Sequence, residues 1–423
     1  MSRSTSRQRS QQARSSISHL PIEVIEVIVD HLHPDNNTLR SCTLTCKTWI
    51  PAARFHLLSY ARLHQKNISV FLRLLDASHS RIAASITHLS LAALPSKPND
   101  WMNNSITVAG KHLVHVKTLT LAGIKWSQLD SRATDSLLRD FRRVDCINLI
   151  DTTFRTFSQL VEFLCAFPLL RIITIDKSHW ETIGAIPSQN ARLSRSLDIL
   201  MITPPSELLM GWLSAQSAAQ MVSKISLDEV VDSRVKGAAD LLKKAGSQLT
   251  DLRIRFGDAQ MSNITNAGIS QMDLSSNKRL SKLILSIPLT NALNPFARQG
   301  YNLAWIPRFL SSVSSSASSH LKVIRFSLFL VDSDDLTLDF PWREVDRVLE
   351  LPAFKSLEKL QFALDTPATL RAPGMSMLSE ELPDPLDVLE GVEIAVYQGL
   401  RKFSRRKDVL VQCGFGENLL HHV

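Results

Sequence analysis

Val116-Lys117-Thr118-Leu119-Thr120-Leu121 decides how most of this 423-residue chain is read. Its order is apolar-x-x-apolar-x-apolar, and the last two apolar positions share one face of a β-strand. The same order stands upstream at Ile86/Leu89/Leu91. Downstream it recurs at Val144/Ile147/Leu149, Leu170/Ile173/Ile175, Leu197/Leu200/Ile202, Val222/Ile225/Leu227 and Leu249/Leu252/Ile254. Three more copies follow, Leu280/Leu283/Leu285, Leu321/Ile324/Phe326 and Leu357/Leu360/Phe362. Their first positions lie 30, 28, 26, 27, 25, 27, 31, 41 and 36 residues apart. A fixed spacing of this length predicts a solenoid.

The segments between the copies carry apolar residues at helical spacing: Ser69 to Leu75, Leu137 to Phe141, Leu160 to Phe167, Leu208 to Leu213 and Ala238 to Leu242. One strand plus one helix per unit resembles a leucine-rich repeat. Each unit is too small to bury its own face, so neighbours stack into one core. The expected class is therefore α/β, an irregular leucine-rich-repeat-like solenoid with a curved parallel sheet over residues 61–372. An ordinary α/β domain with a parallel sheet is the competing architecture. The resemblance is incomplete, because the family's Asn or Cys beyond each strand is replaced by Leu94, Ile124, Thr152, Ser178, Pro205, Val230, Gly257, Pro288, Phe329 and Asp365. No side-chain ladder is possible there, and the turns are expected to be irregular. Ser311 to Ser319 reads as a surface loop, and 373–390 as an acidic, proline-containing linker. Residues 391–423 read as a helix (Val392 to Phe403) and a strand (Val409 to Cys413) that cap the sheet's open edge.

The other informative stretch runs from Leu20-Pro21-Ile22-Glu23 to Leu44-Thr45-Cys46-Lys47-Thr48-Trp49. Pro21 suits a helix start, and Glu23 and Glu26 oppose the positive end of the helix dipole. Ile25, Ile28, Val29 and Leu32 form one stripe at i, i+3, i+4 and i+7. Val24 and Val27 add apolar surface beside it, more than a single helix can hide in so small a domain. Pro34 ends the helix, and Asp35, Asn36 or Asn37 can cap the next. Leu39, Cys42 and Cys46, with Leu44 to one side, continue into a second helix, and Trp49 opens a third that Pro51 tolerates only in its first turn. Three short helices bury little surface alone, so the surplus apolar face predicts a docked neighbour.

The order of Pro, Glu, Cys and Trp here resembles the F-box, a helical adaptor-binding module, over residues 18–60. Thr45 departs from it, standing where the family usually has an aliphatic residue. The resemblance implies docking on a Skp-type adaptor within a cullin ubiquitin ligase. Leu20, Pro21, Ile25, Ile28, Leu32, Leu39, Leu44 and Trp49 would carry the contact, some of them also holding the module's own core. C-terminal regions like this one are common in fungal F-box proteins.

Composition narrows the remaining classes. No apolar run approaches the 18 or so residues of a membrane span. The acid-free start holds Arg3, Arg7, Arg9 and Arg14 among Ser and Gln. It lacks the apolar core of a secretory signal, and 1–17 reads as a disordered basic tail. Those arginines account for half of the net +8, leaving 8 − 4 = +4 for the rest, which argues against nucleic acid as the partner. Five scattered cysteines (Cys42, Cys46, Cys146, Cys165, Cys413) fit reduced thiols and a cytoplasmic or nuclear protein.

No catalytic motif is present: no Gly-x-Ser-x-Gly, phosphate-binding Gly-rich loop, His-Glu-x-x-His or Cys-x-x-Cys. Cys42 and Cys46 with His31 and His33 are a weak zinc candidate, since Cys is ordinarily a small buried hydrophobe. His112 with His115, and His421 with His422, lack further ligands nearby in sequence, and Asp332, Asp334 and Asp335 read as a solvated loop. No enzyme activity, metal or cofactor is expected. Non-pattern strand positions face away from the helices, mild in the early strands and cationic later. Lys224, Arg253, Arg255, Lys282, Arg325 and Lys359 stand there against Asp228 and Asp251. This predicts a cationic stripe for an acidic or phosphorylated target, with Arg253, Arg255, Lys282, Arg325 and Lys359 as its contacts. A solvated face without a partner is the alternative. The Arg401-Lys402 and Arg405-Arg406-Lys407 cluster reads as solvated helix surface. The functional expectation is a substrate receptor of an SCF-type ligase, which catalyses nothing itself. The alternative is a repeat scaffold whose N-terminal helices only cap the solenoid.

Overall fold

The computed structural model describes residues 20–32, 35–76, 82–93, 100–184, 191–257, 266–288, 303–314, 320–329, 340–365, 385–406, 408–415 and 418–422. The basic tail 1–17, His33, Pro34, Ser315 to Ser319, the Asp332/Asp334/Asp335 cluster and 373–384 lie outside them. The protein is mixed α/β and divides into two compact units, 1–159 with 180–182, and 160–179 with 183–423.

The first unit opens with three helices, α1 (Ile22–His31), α2 (Asn36–Thr45) and α3 (Ile50–Ser59). Strands and helices then alternate: β1 (Tyr60–Leu63), α4 (Ile68–Asp76), α5 (Ile82–Ser85), β2 (His88–Ala92), α6 (Asp100–His112), β3 (Thr118–Ala122), α7 (Ser131–Arg139) and β4 (Cys146–Ile150). The four strands pair in chain order and parallel, with Leu89, Leu119 and Ile147 abreast and Leu91, Leu121 and Leu149 abreast. All six are buried. Parallel neighbours require a crossover, which the intervening helices supply. β1 was not foreseen, although Leu58-x-x-Ala61-x-Leu63 repeats the pattern with a small residue in the middle. β5 (Thr153–Thr156) and α8 (Phe157–Cys165) lead onward.

β7 (His179–Thr182), whose residues 180–182 belong to the first unit, pairs with β5 as a separate two-stranded sheet, and the second unit begins its own strands with β6 (Ile172–Asp176). It continues through β8 (Ile199–Thr203), α9 (Glu207–Ala215), β9 (Lys224–Val230), α10 (Asp232–Ala245), β10 (Asp251–Phe256), α11 (Asn266–Gln271) and β11 (Lys282–Pro288). Then come α12 (Trp305–Ser314), β12 (Val323–Phe329), α13 (Trp342–Leu349), β13 (Lys359–Asp365), α14 (Pro385–Gly399), β14 (Leu410–Phe415) and β15 (Asn418–His422). Every pairing in this run from β6 to β14 is parallel, and β15 pairs antiparallel to β14. Pattern residues form buried columns through this register, one of which runs Ile175, Ile202, Leu227, Ile254, Leu285, Phe326, Phe362, Cys413.

All ten sequence-patterned segments are thus strands. Three readings change. Residues 311–314 belong to α12, and 385–390 to α14, because both stretches hold apolar residues that pack inward, such as Val313, Val388 and Leu389. Arg401, Lys402 and Arg405 are exposed as expected but lie beyond α14, which stops at Gly399, with Arg405 in a short 3-10 turn (Phe403–Arg405) and Arg406 half-buried. The strand exits are of mixed form, with a cis peptide at Thr203-Pro204 and a positive φ at Glu229 inside β9. Gly123, Asp151, Lys177 and Gly257 each take a left-handed step one residue past a strand (φ 66°, 49°, 50° and 91°). A backbone ladder also runs along the strand entrances. The Arg171 carbonyl accepts N–H bonds from Asp198 (2.8 Å) and Ile199 (3.0 Å), and those of Asp198, Ser223, Thr250, Ser281 and Lys322 repeat the fork. Main chain satisfies main chain here, which no particular side chain has to encode.

Candidate functional site

The three-helix head is built from its own residues. Ile25 and Val29 of α1, Leu39 and Cys42 of α2 and Ala53 of α3 are buried together, and Leu32, Trp49, Ala52 and Leu57 pack against them. Asp35 caps α2, accepting from the N–H groups of Asn37 (2.9 Å) and Thr38 (3.2 Å). Pro51 occupies the first turn of α3, where no N–H is needed. His56 of α3 meets Asp30 of α1 at 2.7 Å.

This core divides the sequence-predicted contact residues. Ile25 and Leu39 are fully buried, and Leu32 and Trp49 are half-buried against the same core, so all four serve the fold first. Leu20, Pro21, Ile28 and Leu44 are exposed, Leu44 by 86%. Helical spacing puts Val24, Val27 and Ile28 on one outward face of α1, with Leu20 just before its start, and all four are exposed. α1 therefore has two apolar faces, one spent on the core and one uncovered among the described residues. The sequence marks Val24 and Val27 as surplus apolar surface, although the predicted contacts leave them out.

The strand face is less concentrated than expected. Register sets Lys224, Asp251, Lys282, Val323 and Lys359 abreast, and Ser226, Arg253, Ile284, Arg325 and Gln361 abreast. The cations do share a face. Asp251 stands between Lys224 and Lys282, however, and Ile284 separates Arg253 from Arg325 by two strand spacings, about 10 Å. Arg255 is already engaged, with Glu229 Oε1 at 3.2 Å and Asp228 Oδ1 at 4.0 Å. Arg253 and Lys359 are exposed, and Lys282 and Arg325 half-buried.

Three of the five thiols are poorly placed for nucleophilic chemistry. Burial pushes Cys165 up to about 11 and Cys413 up to about 12, the latter helped by Glu393, and it also raises Cys146. Cys46 is lowered, chiefly by the Thr48 hydroxyl at 2.8 Å. Cys42 is part of the head's core. Among the described residues no three His, Cys, Asp or Glu side chains are grouped to hold a metal ion, and no helix is long and apolar enough to cross a membrane.

No protein-family model matches this chain, and no curated protein matches it in sequence.

Proposed function

We propose that the chain is the substrate-receptor subunit of an SCF-type cullin ubiquitin ligase. The head is read as an F-box that docks on the Skp-type adaptor. The strand-and-helix repeats, read as a leucine-rich-repeat-like solenoid, hold the target. One observation carries this reading: the head closes its own core and still leaves Leu20, Val24, Val27, Ile28 and Leu44 uncovered. A monomer has no use for such a face, whereas an adaptor interface does. Bridging target and adaptor raises the effective concentration of target lysines beside a ubiquitin-charged enzyme, with no chemistry of its own. The exposed cations Arg253 and Lys359 are the first candidates for target contact, flanked by Lys282 and Arg325.

A scaffold whose head is only a cap remains the second reading, favoured by one observation: the head and β1 to β4 fall in one compact unit. The test is co-purification of the full-length chain with a Skp-type adaptor, repeated with Val27→Glu and Leu44→Glu. Re-covering each side chain is worth on the order of 1 kcal/mol, so the double variant should weaken the complex by at least about tenfold with an unchanged melting temperature. No complex with the wild-type chain would sink the ligase reading, and undiminished binding by the variant would sink this face.

A further inference from the structure

Far from the head in sequence, the second unit holds a cleft of about 690 Å³ between α13 and the chain that leaves α14. Its walls are held by close packing. A Cβ on Gly399 would collide with Cδ2 of Trp342, so the end of α14 rests directly on the indole and only glycine fits. The chain beyond is tied down by Asp346, a carboxylate only 7% exposed. Its oxygens accept from the N–H groups of Phe403 (2.9 Å) and Lys402 (3.3 Å). Arg406 adds a second anchor, donating to the carbonyls of Phe354 (3.0 Å) and Lys355 (3.3 Å) while its guanidinium lies over Phe403.

These anchors aim like charges at one space. Arg343 and Arg347, one turn apart on α13, line one wall, and Arg401, Lys402 and Arg405 line the other. Asp346 is the single carboxylate of the lining, so the balance is 5 − 1 = +4, and that carboxylate is committed to main-chain donors. Lys402 reaches Glu350 at 3.3 Å, but both side chains are largely in water, where a pair is weak. Arg343, Arg347 and Arg405 make no ion pair among the described residues. A concave site lined by one sign of charge focuses its field on the space it encloses. Guanidinium forks match phosphate oxygens two at a time, and the volume is that of a small-molecule site. Among the lining residues only Trp342 and Ala395 carry apolar side chains.

We infer that the α13/α14 cleft binds a compact anion carrying several phosphate groups. A free polyphosphate and a polyphosphorylated lipid headgroup share that chemistry. The site is independent of the ligase reading.

The test titrates the full-length protein with sodium tripolyphosphate by calorimetry in about 0.1 M salt, where exposed charges still act over ~10 Å. Orthophosphate, and vesicles of phosphatidylcholine containing a phosphatidylinositol bisphosphate, form parallel arms. Saturable one-to-one binding of tripolyphosphate is expected, with orthophosphate about tenfold weaker. Arg343→Gln with Arg347→Gln should weaken tripolyphosphate about tenfold or more while leaving the ligand-free melting temperature unchanged, as both side chains are exposed. Arg405→Gln, on the opposite wall, should weaken it independently and decides the matter if the double variant is unstable. Vesicle binding that tripolyphosphate displaces and the variants abolish assigns the site to a lipid headgroup; binding of tripolyphosphate without vesicle binding assigns it to a free polyphosphate. No saturable binding, binding unaffected by the variants, or preference for a singly phosphorylated peptide over tripolyphosphate overturns the inference.

Discussion

Asp35 concentrates several bonds on one exposed carboxylate. It accepts from two main-chain N–H groups and from the Thr38 hydroxyl, and these bonds, the hydroxyl first, hold its carboxyl below the usual carboxylate value of 3.8. The sign follows from linkage: a carboxyl depressed by folding stabilises the folded state above its unfolded pKa, and that contribution is lost as pH falls through the folded one. The head should therefore melt at lower temperature as pH drops from 5 to 3, in part through Asp35. Asp35→Asn keeps a capping oxygen but cannot titrate, so its melting temperature should vary less over that range. Parallel curves for the two proteins would show that the cap does not contribute. Ile25 and Leu44, both predicted contacts, differ in kind. One is 1% exposed and the other 86%, and a substitution at Ile25 would report on folding before it reported on any partner.

Elements pack through points that a pattern of hydrophobicity does not mark. Gly237 of α10 lies against α9, and a Cβ there would meet Met210 Cβ at 2.8 Å, whereas one on Gly211 of α9 would meet nothing within 4 Å. Both glycines sit in helices, where alanine is intrinsically better by roughly 0.5–1 kcal/mol. At Gly237 the clash opposes this gain and outweighs it, since overpacking costs about 1–3 kcal/mol and Met210 Cβ cannot swing away. Gly237→Ala should therefore lower stability in urea denaturation, and Gly211→Ala should raise it by about 0.5–1 kcal/mol. Equal shifts for the two would refute the packing argument. Strand elements were far more legible than these contacts. Eleven were visible, the ten repeat strands and β14, because period-two spacing is a local property of the chain. β1 escaped because Ala61 is a weak marker, and β5 and β7 because they are four-residue strands outside the repeat.

Across a whole unit, the columns of buried side chains make stability a matter of neighbours. Phe326 is fully buried, stacks on Phe362 at 5.2 Å and meets Phe340 edge-on at 5.4 Å. Phe326→Ala should cost about 3–5 kcal/mol. The loss should fall where the ring makes contact, so hydrogen exchange should quicken in β11, β12 and β13 and little in β6 and β8, which lie further along the sheet. Uniform loss of protection from β6 to β14 would show instead that this unit opens as one. The cationic strand face also depends on neighbours. Which cations are available to a target depends on which strands lie abreast, and Arg255 drops out because Glu229, 26 residues earlier, lies 3.2 Å away.

What the amino-acid order determined by itself was the alternation of strand and helix, the start of the head's helices and the surplus of apolar residues on α1. Each depends on spacing within a few residues, and steric and capping rules act at that range. Tertiary structure alone decided which face of α1 turned inward, which arginines kept a free charge, and that Gly399 would settle on Trp342 to open a basic cleft. These outcomes rest on contacts between residues far apart in the chain, whose energies depend on distances that no local pattern encodes.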